Sequence, residues 1–338
     1  MSTKILHPKL VAGKGMSRRD FTRAAAASTA LAALGTPAIA QQYPSQDVHF
    51  VCAFPAGSGA DVIVRFMAEK MRPLMGRTII VENKPGALGN ISTEYLVRSK
   101  PDGHTVLIHG ASGVAAAAAI VRNSSIDVSK SIQLAGTINR QPTMLAVHVN
   151  KPWKTVDEVT AAIKEKKEKA SYATTNPVGK VMGAIYKKTL GLNPVEVNYK
   201  TAADSLNDLT SGAIDYILAD NVFTMAQVRA NRLRVLAVST AQRLQANPDL
   251  PTMTELGVPM DLTGYFAAMV PTGTPQPVIQ QLSKWVGEVI ASEDAKKFLN
   301  SFASDPWVTT PEQGQAYFLK DVDNWKKYVK IAEIEQQG

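Results

Sequence analysis

Short apolar runs alternate with helix-like patterns along most of the chain. Runs rich in β-branched and aromatic residues predict strands, and apolar residues repeated at three- and four-residue intervals predict helices. The predicted strands are 48–51, 78–82, 104–109, 143–149, 194–198, 214–219, 232–239 and 265–270. The predicted helices are 62–71, 155–168, 179–190, 203–210, 276–291 and 311–332. Because strands alternate with helices, we expect an α/β fold with parallel sheets joined by crossover helices.

The last predicted strand indicates how the chain is divided between lobes. It lies at 265–270, directly before a long helical block. We therefore expect the chain to cross into a second lobe and to return late to its first sheet. This predicts one lobe from residues 41–140 and 266–338, and a second lobe from residues 141–265.

Residues 1–40 carry the pattern of an export signal. Residues 17–23 (SRRDFTR) form a twin-arginine motif, residues 24–34 are mildly apolar, and residues 38–40 (AIA) match a signal-peptidase site. The apolar stretch is too short and too rich in alanine to span a membrane. We therefore predict a signal peptide at 1–40 and export to the periplasm by the twin-arginine route.

Most of the positive charge belongs to this leader. The whole chain has 37 basic and 29 acidic residues, a net charge of +8, and removing the leader's six bases and one acid leaves a net charge of +3. The densest basic cluster, 164–169, is interleaved with Glu165 and Glu168, which is typical of a solvated helix face. We therefore expect no nucleic-acid partner. The single cysteine, Cys52, excludes a disulfide within the chain.

Candidate chemistry begins where the first strand ends. Residues 52–61 read CAFPAGSGAD, in which a proline and two glycines end the strand before a helical pattern begins. Such a corner directs backbone N–H groups and a helix N-terminus at one place, which suits an anion. Three interpretations are open: a dinucleotide-binding loop, the nucleophile elbow of a hydrolase, and a pocket for a small carboxylate.

The first two interpretations lack residues that they need. A dinucleotide loop needs a third glycine where Val62 stands, although Glu82 is placed where a ribose-binding acid would be. A hydrolase elbow needs the pattern G-x-S-x-G, which residues 57–59 (GSG) do not complete. No group of residues shows metal-ligand spacing either. Because the sequence shows no activated nucleophile, metal set or cofactor loop, we expect no catalytic residue, metal or cofactor. The histidines beyond the leader are interpreted as core or surface residues: His49, His104, His109 and His148.

Several motifs, in order along the chain, resemble those of one family. They are FPAGSGAD at 54–61, VENKPGALG at 81–89, KPDGHTVL at 100–107, LNDLTSG at 206–212, RVLAVS at 234–239 and PTGTP at 271–275. Together they are similar to motifs of the Bug receptors, the periplasmic solute-binding proteins of tripartite tricarboxylate transporters, also called the TctC family. The resemblance extends over essentially all of the chain after the leader.

This resemblance implies a two-lobe periplasmic-binding-protein (Venus-flytrap) fold with a ligand cleft between the lobes. A ligand carboxylate would be held by two strand-to-helix loops, one from each lobe. The first loop falls on Phe54, Ala56, Gly57 and Ser58, the second on Thr174 and Thr175, and Ser112, Asn139 and Asp220 fall at strand ends that face the cleft. Ser58 either donates its hydroxyl to the ligand or caps the next helix. Asp220 either orients an amine or hydroxyl of the ligand or caps the helix from Asn221 onward.

Arg140 is a further candidate because it follows Asn139 at the proposed mouth of the cleft. Its guanidinium would pair with a second carboxylate of the ligand, or it is a hinge-surface arginine in solvent. We expect a non-enzymatic, monomeric receptor that delivers a small organic carboxylate to the membrane components of a tripartite tricarboxylate transporter. The carboxylate would be a dicarboxylate or an aromatic acid. The alternatives are an exported enzyme and a ligand sensor on the same architecture.

Overall fold

Two mixed sheets with flanking helices build the fold. The computed structural model describes residues 43–122, 126–199 and 202–336. The predicted signal peptide at 1–40 lies outside these residues. Contacts set off the first 45 residues as a unit of their own, and both sheets belong to the remainder of the chain.

The first sheet contains six strands. In spatial order they are β11 (Asp305–Pro306), β4 (Ile132–Gln141), β10 (Gly264–Pro271), β3 (Thr105–Gly110), β1 (Val48–Cys52) and β2 (Ile79–Asn83). Strand β1 is parallel to β2 and β3, whereas β10 lies antiparallel between β3 and β4.

The second sheet contains five strands. In spatial order they are β7 (Val195–Asn198), β6 (Ser171–Thr174), β8 (Tyr216–Asp220), β5 (Thr143–His148) and β9 (Leu233–Val238). Strand β6 is parallel to β7 and β8, and β5 is antiparallel to β8 and β9. We call the parts of the molecule built on the two sheets the first and second lobes.

The expectation of wholly parallel sheets is wrong for β5 and β10. Each of these strands is the first one after the chain crosses between sheets, so it runs away from the other lobe. The strands β1, β3, β6 and β8 run toward the other lobe instead, and an antiparallel contact results wherever the two kinds meet. All residues of β5 are buried, as expected for a central strand covered on both faces.

Helices cover both sheets and begin at the strand ends. In the first lobe they are α1 (Gly59–Met75), α2 (Asn90–Arg98), α3 (Ala111–Ile120), α4 (Val128–Ser131), α9 (Gln276–Ala291), α10 (Glu293–Asn300) and α11 (Pro311–Ile331). In the second lobe they are α5 (Val156–Lys166), α6 (Pro177–Leu190), α7 (Leu206–Ser211) and α8 (Asn221–Arg229). None of these described helices combines the length and the apolar character needed to cross a bilayer.

The segments that cross between the sheets are tied together by Ser239. Its N–H donates to the carbonyl of Thr143 at 3.0 Å, and its hydroxyl accepts from the N–H of Thr143 at 3.0 Å. The same hydroxyl donates to the carbonyl of Leu262 at 3.1 Å. One buried serine therefore holds the start of β5 beside the segment that leads back to β10.

Candidate functional site

The corner after β1 is built around the carboxylate of Asp61. Its Oδ2 accepts hydrogen bonds from the N–H of Gly57 and from Nε of Arg65, both at 2.8 Å, and its Oδ1 accepts from Nδ2 of Asn83 at 2.7 Å. Burial by itself would raise the pKa of Asp61, but the hydrogen bonds from Arg65, Asn83 and Gly57 outweigh it and lower the pKa. Asp61 therefore stays ionised and holds the loop in one shape.

Gly57 and Ser58 allow the chain to turn into α1. Gly57 has a φ of 81°, a left-handed conformation that glycine adopts without strain. Ser58 is the N-cap of α1, and its Oγ accepts from the N–H of Asp61 at 3.2 Å. Ser58 thus has the capping role, while its hydroxyl hydrogen is still able to donate.

Some of the donors at this corner are unused. The N–H groups of Gly57 and Ser58 bond within the loop. The N–H groups of Ala56, Gly59 and Ala60 donate to no residue in the described part of the chain. Gly59 and Ala60 are the first two residues of α1, and the first N–H groups of a helix carry partial positive charge, which suits an anion; Ala56 lies in the loop before them.

The start of α8, in the second lobe, lies against this corner. A Cβ on Gly59 would overlap the side chain of Val222 in the first turn of α8. Asp220 is the N-cap of α8, and its Oδ1 accepts from the N–H of Phe223 at 2.9 Å. Burial raises the pKa of Asp220, and backbone hydrogen bonds such as that from Phe223 offset part of the rise. The structure therefore brings Asp220 next to the first loop as a helix cap.

The second loop follows β6. Thr174 is fully buried, and its hydroxyl donates to Oε1 of Glu196 at 3.1 Å. Thr175 is partly exposed, and its N–H, like that of Asn176, donates to no described residue. Asn176 caps α6 by accepting from the N–H of Gly179 at 2.9 Å. Thr174 therefore anchors the loop, while Thr175 and Asn176 present its donors.

Sequence reasoning did not single out Asn176. The signal for it is an asparagine directly before Pro177, because asparagine is a favoured N-cap and proline a favoured first helical residue. This signal predicts the start of α6 but not the unused N–H group, since that depends on which residues lie nearby.

Ser112 lies in the first turn of α3, which no side chain caps. Ser112 and Val178, the second residue of α6, line one cavity of about 30 Å³ together with Asp321. Such a volume holds about two water molecules. The starts of α3 and α6, one from each lobe, therefore face each other across a small cavity.

Asn139 lies at the end of β4 that faces the second lobe. It is fully buried, and its Oδ1 accepts from the N–H of Phe266 at 2.9 Å. Its Nδ2 lies 3.1 Å from Oγ of Ser304, which is also 3.1 Å from Nδ2 of Asn221. Asn139 is thus part of a hydrogen-bond network that connects β4 with the start of α8.

Arg140 is not brought to the first loop. Three strand spacings separate β4 from β1, which is roughly 14 Å. The side chain of Arg140 is 40% exposed, and its Nη2 lies 3.8 Å from Oδ2 of Asp305. It lines a recess of about 250 Å³ together with Arg243 and Trp307, beside the crossing segments.

Four helix starts define the electrostatics of the cleft. Those of α1 and α8 meet, and those of α3 and α6 share a cavity. Partial positive charge at each start suits an anion. Two carboxylates are close, but Asp61 is committed to its own loop and burial opposes the ionisation of Asp220. Within the described ranges, no group of three or more His, Cys, Asp or Glu residues is arranged to hold a metal ion.

Comparisons with known proteins agree with this architecture. Residues 63–334 match the tripartite tricarboxylate transporter family receptor, TctC. Protein BugT of Bordetella pertussis is 24% identical over 306 residues, which cover 89% of this chain and 94% of that protein. The solved periplasmic binding protein BugD is 28% identical with a TM-score of 0.74, covering 87% of this chain and 100% of that one. Rpa4515 of R. palustris, solved with adipate, is 25% identical with a TM-score of 0.77, and the match covers 87% of this chain and 99% of that one.

These matches confirm the two-lobe fold and the resemblance to Bug receptors. The family match spans well over half of the chain, and the similar structures are substrate-binding proteins rather than enzymes. The chain belongs to the TctC family, the receptors of tripartite tricarboxylate transporters.

Proposed function

We propose that this protein is a periplasmic receptor that closes its lobes on a small organic carboxylate and passes it to the membrane components of a tripartite tricarboxylate transporter. One observation carries the proposal: unused N–H groups lie at Ala56, Gly59 and Ala60 in one lobe and at Thr175 and Asn176 in the other. Both sets lie where helices begin, so a carboxylate between them gains hydrogen bonds and a favourable field.

The expected affinity follows from these donors. A hydrogen bond to a charged group contributes about 1.5 to 3 kcal/mol. Two or three such bonds, with closure of the cleft, reach a Kd near 1 μM, which corresponds to about −8 kcal/mol. The adipate bound to the R. palustris relative supports a dicarboxylate as the first ligand to test.

The predicted site residues have different roles in this proposal. The loop of Phe54, Ala56, Gly57 and Ser58 grips the carboxylate, with Thr175 opposite and Ser112 beside it. Thr174, Asn139 and Asp220 support the loops and helix starts through the hydrogen bonds described above. The variant Arg140→Ala distinguishes the two predicted roles of this residue, a contact to a distal carboxylate and a hinge-surface arginine.

A thermal-shift screen of the purified receptor against a library of carboxylates tests the proposal. A ligand present at 100 times its Kd stabilises the folded state by about 2.7 kcal/mol, so binders raise the Tm clearly. Matched amines and alcohols without a carboxylate are expected to leave the Tm unchanged. If no carboxylate raises the Tm, the proposal fails.

Variants of the second loop make the screen specific to the site. Thr175→Val removes a hydroxyl from the proposed grip, and we expect it to weaken binding of the best carboxylate. Thr210→Val removes a hydroxyl on the exposed side of α7, where it bonds only to the carbonyl of Leu206 among the described residues, and serves as the matched control. Equal effects of the two variants would argue against a grip at Thr175.

Delivery is a separate claim and has its own test. Cells that lack this receptor but keep the membrane components are expected to lose uptake of the radiolabelled carboxylate and to regain it when the receptor is restored. NMR spectra of the carboxylate after incubation with purified receptor are expected to be unchanged. A chemically altered ligand would favour the alternative of an exported enzyme.

A further inference from the structure

His109 is a buried polar residue that the fold leaves without a hydrogen-bond partner. It is the second-last residue of β3 and is 2% exposed. Neither Nδ1 nor Nε2 bonds to any residue that the structure describes. Burial lowers the pKa of His109 from 6.5 to about 4, so the imidazole is neutral at neutral pH. A neutral imidazole has one donor nitrogen and one acceptor nitrogen, and both are unmet here.

His109 adjoins the proposed carboxylate site. The ring of Phe54 packs edge-on against the imidazole at 5.1 Å between ring centroids and is itself 37% exposed. A Cβ on Gly89 would come within 2.6 Å of Nε2, and a Cβ on Gly113 would come within 3.6 Å. Nε2 therefore lies against the starts of α2 and α3, directly behind the first loop.

The helix starts decide which nitrogen carries the hydrogen. No side chain caps α3, so its start keeps its partial positive charge, whereas at the start of α2 the N–H of Asn90 donates to the carbonyl of Ala87. A hydrogen on Nε2 would point positive charge at the start of α3, which attracts a lone pair on Nε2 instead. The favoured tautomer therefore carries its hydrogen on Nδ1 and presents Nε2 as an acceptor.

If Nε2 is an acceptor, its partner must be a hydrogen-bond donor. Buried polar groups are nearly always satisfied by protein, water or ligand. A carboxylate has no hydrogen to donate, but a hydroxyl does. An ammonium group also donates, but it would place a positive charge beside the positive start of α3. A hydroxyl beside the carboxylate is thus the ligand group that suits both the helix starts and His109.

We propose that His109 is a specificity-determining residue that accepts a hydrogen bond from a hydroxyl group next to the ligand carboxylate, so that this receptor prefers hydroxycarboxylates to their deoxy counterparts. The inference rests on the proposed function as a carboxylate receptor. In this arrangement the carboxylate lies at the N–H groups of the helix starts, and Phe54, which packs against the buried imidazole, must move for the hydroxyl to reach it.

Calorimetry with matched acids tests the inference. The probes are malate and succinate, which differ by one hydroxyl, 2-hydroxyadipate and adipate, which also differ by one hydroxyl, and aspartate. We expect the wild-type receptor to bind the hydroxylated member of a pair two- to tenfold more tightly, roughly the net contribution of one hydrogen bond. Aspartate is expected to bind more weakly than malate.

Variants assign this preference to the imidazole. His109→Leu is expected to remove the preference for the hydroxyl while the deoxy acid still binds, and His109→Gln is expected to keep much of it through its carbonyl oxygen. His148→Leu is the matched control, because His148 is also buried but lies at the far end of β5, where its Nδ1 accepts from Asn150. A purely structural role would change both members of a pair equally and leave their ratio intact.

The outcomes separate the two claims. If no carboxylate of the thermal-shift library binds, the proposed function fails. If other carboxylates bind but none of these five acids does, the preference assigned to His109 is overturned and the receptor function stands. The role of His109 is overturned, while the receptor function stands, if the acids bind but the hydroxylated and deoxy members of each pair bind equally tightly. A preference for the hydroxylated acid that survives in His109→Leu, or tighter binding of aspartate than of malate, has the same consequence. If the variants do not fold, the ring ¹⁵N resonances of His109 in the wild-type protein decide: Nε2 should shift with malate and not with succinate, and equal shifts would refute the hydroxyl contact.

Discussion

Val222 and Gly59 meet where the two lobes touch. The side chain of Val222, in the first turn of α8, fills the space that a Cβ on Gly59 would need. Gly59 is the first residue of α1, immediately after the loop proposed to grip the carboxylate. The lobes approach this closely because position 59 has no side chain.

Gly59→Ala is therefore expected to destabilise the closed arrangement. The new methyl group overlaps Cγ1 of Val222, and overpacking of this kind costs about 1 to 3 kcal/mol. Urea unfolding and ligand calorimetry are expected to show the loss, and Val222→Ala combined with Gly59→Ala is expected to recover part of it. Gly287→Ala is the control, because its Cβ meets only Val308 at 3.4 Å. An equal loss at Gly287, or no recovery in the double variant, would contradict the contact.

Asp61→Asn is expected to loosen the first loop. An asparagine keeps one acceptor oxygen and replaces the other by an NH2 group, which would face either Asn83 or Arg65. Each of these is itself a donor, so we expect a loss of about 1 to 3 kcal/mol in the free energy of unfolding. Because the folded-state pKa of Asp61 lies below its ordinary value of 3.8, this contribution is present above pH 4 and disappears as the pH falls through the folded-state pKa.

Unfolding of the wild type and of Asp61→Asn between pH 7 and pH 3 measures this effect. The difference between the two proteins is expected to shrink at the acid end. A difference that stays constant across this range would show that the ionised carboxylate does not hold the loop.

Asp321 is expected to lower the stability of the folded protein as the pH rises, which is the opposite of the effect of Asp61. Burial, together with the charge of Asp261, raises the pKa of Asp321 from 3.8 to about 7. The folded protein then binds one more proton than the unfolded chain between these values. Stability therefore falls as the pH rises from about 4 to about 7, by at most about 1.4 kcal/mol per pH unit.

Asp321→Asn isolates this effect because an asparagine never ionises. The variant is expected to match the wild type at pH 4 and to exceed its Tm at pH 8. Asp323→Asn, on the exposed side of the same helix, loses an ion pair with Lys326 and is expected to show no such gain. A Tm difference for Asp321→Asn that does not grow between pH 4 and pH 8 would refute the raised pKa.

Arg140→Ala distinguishes the two roles that the sequence left open. Arg140 lies beside Asp305, which is buried and also accepts from the N–H groups of Gln245 and Ala246 at 2.9 Å. Because this pair belongs to the crossing region, we expect the variant to weaken adipate and hexanoate equally in calorimetry. A loss confined to adipate, of about 1 to 3 kcal/mol, would instead place Arg140 on a distal carboxylate. Arg98→Ala, at a site 74% exposed, is the control.

Export can be tested without structural information. A tagged precursor is expected to appear in the periplasm, shortened after Ala40, because the twin-arginine motif and the A-x-A site occur in the required order. Replacing Arg18 and Arg19 together by lysine is expected to block export. An undiminished periplasmic signal in this variant would rule out the twin-arginine route.

Local signals in the sequence determined most elements of the fold. Strands such as β2 and β10 were predicted within one residue, because β-branched runs bounded by turn residues have few other stable conformations. Prolines near the helix starts placed α9 and α11. Helix α3 was missed, because its sequence ASGVAAAAAI is apolar on every side and has no helical period.

The tertiary structure alone decided which groups at the cleft are available. The N–H of Gly57 is not available to a ligand, because it donates to Asp61, which is itself held by Asn83 from the neighbouring strand. The N–H groups of Ala56 and Gly59 stay unused. The direction of β5 and β10 and the unmet nitrogens of His109 were likewise unpredictable from local pattern. The physical reason is common to all of them: hydrogen-bond satisfaction and burial depend on residues that are distant in the chain and meet only in the folded protein.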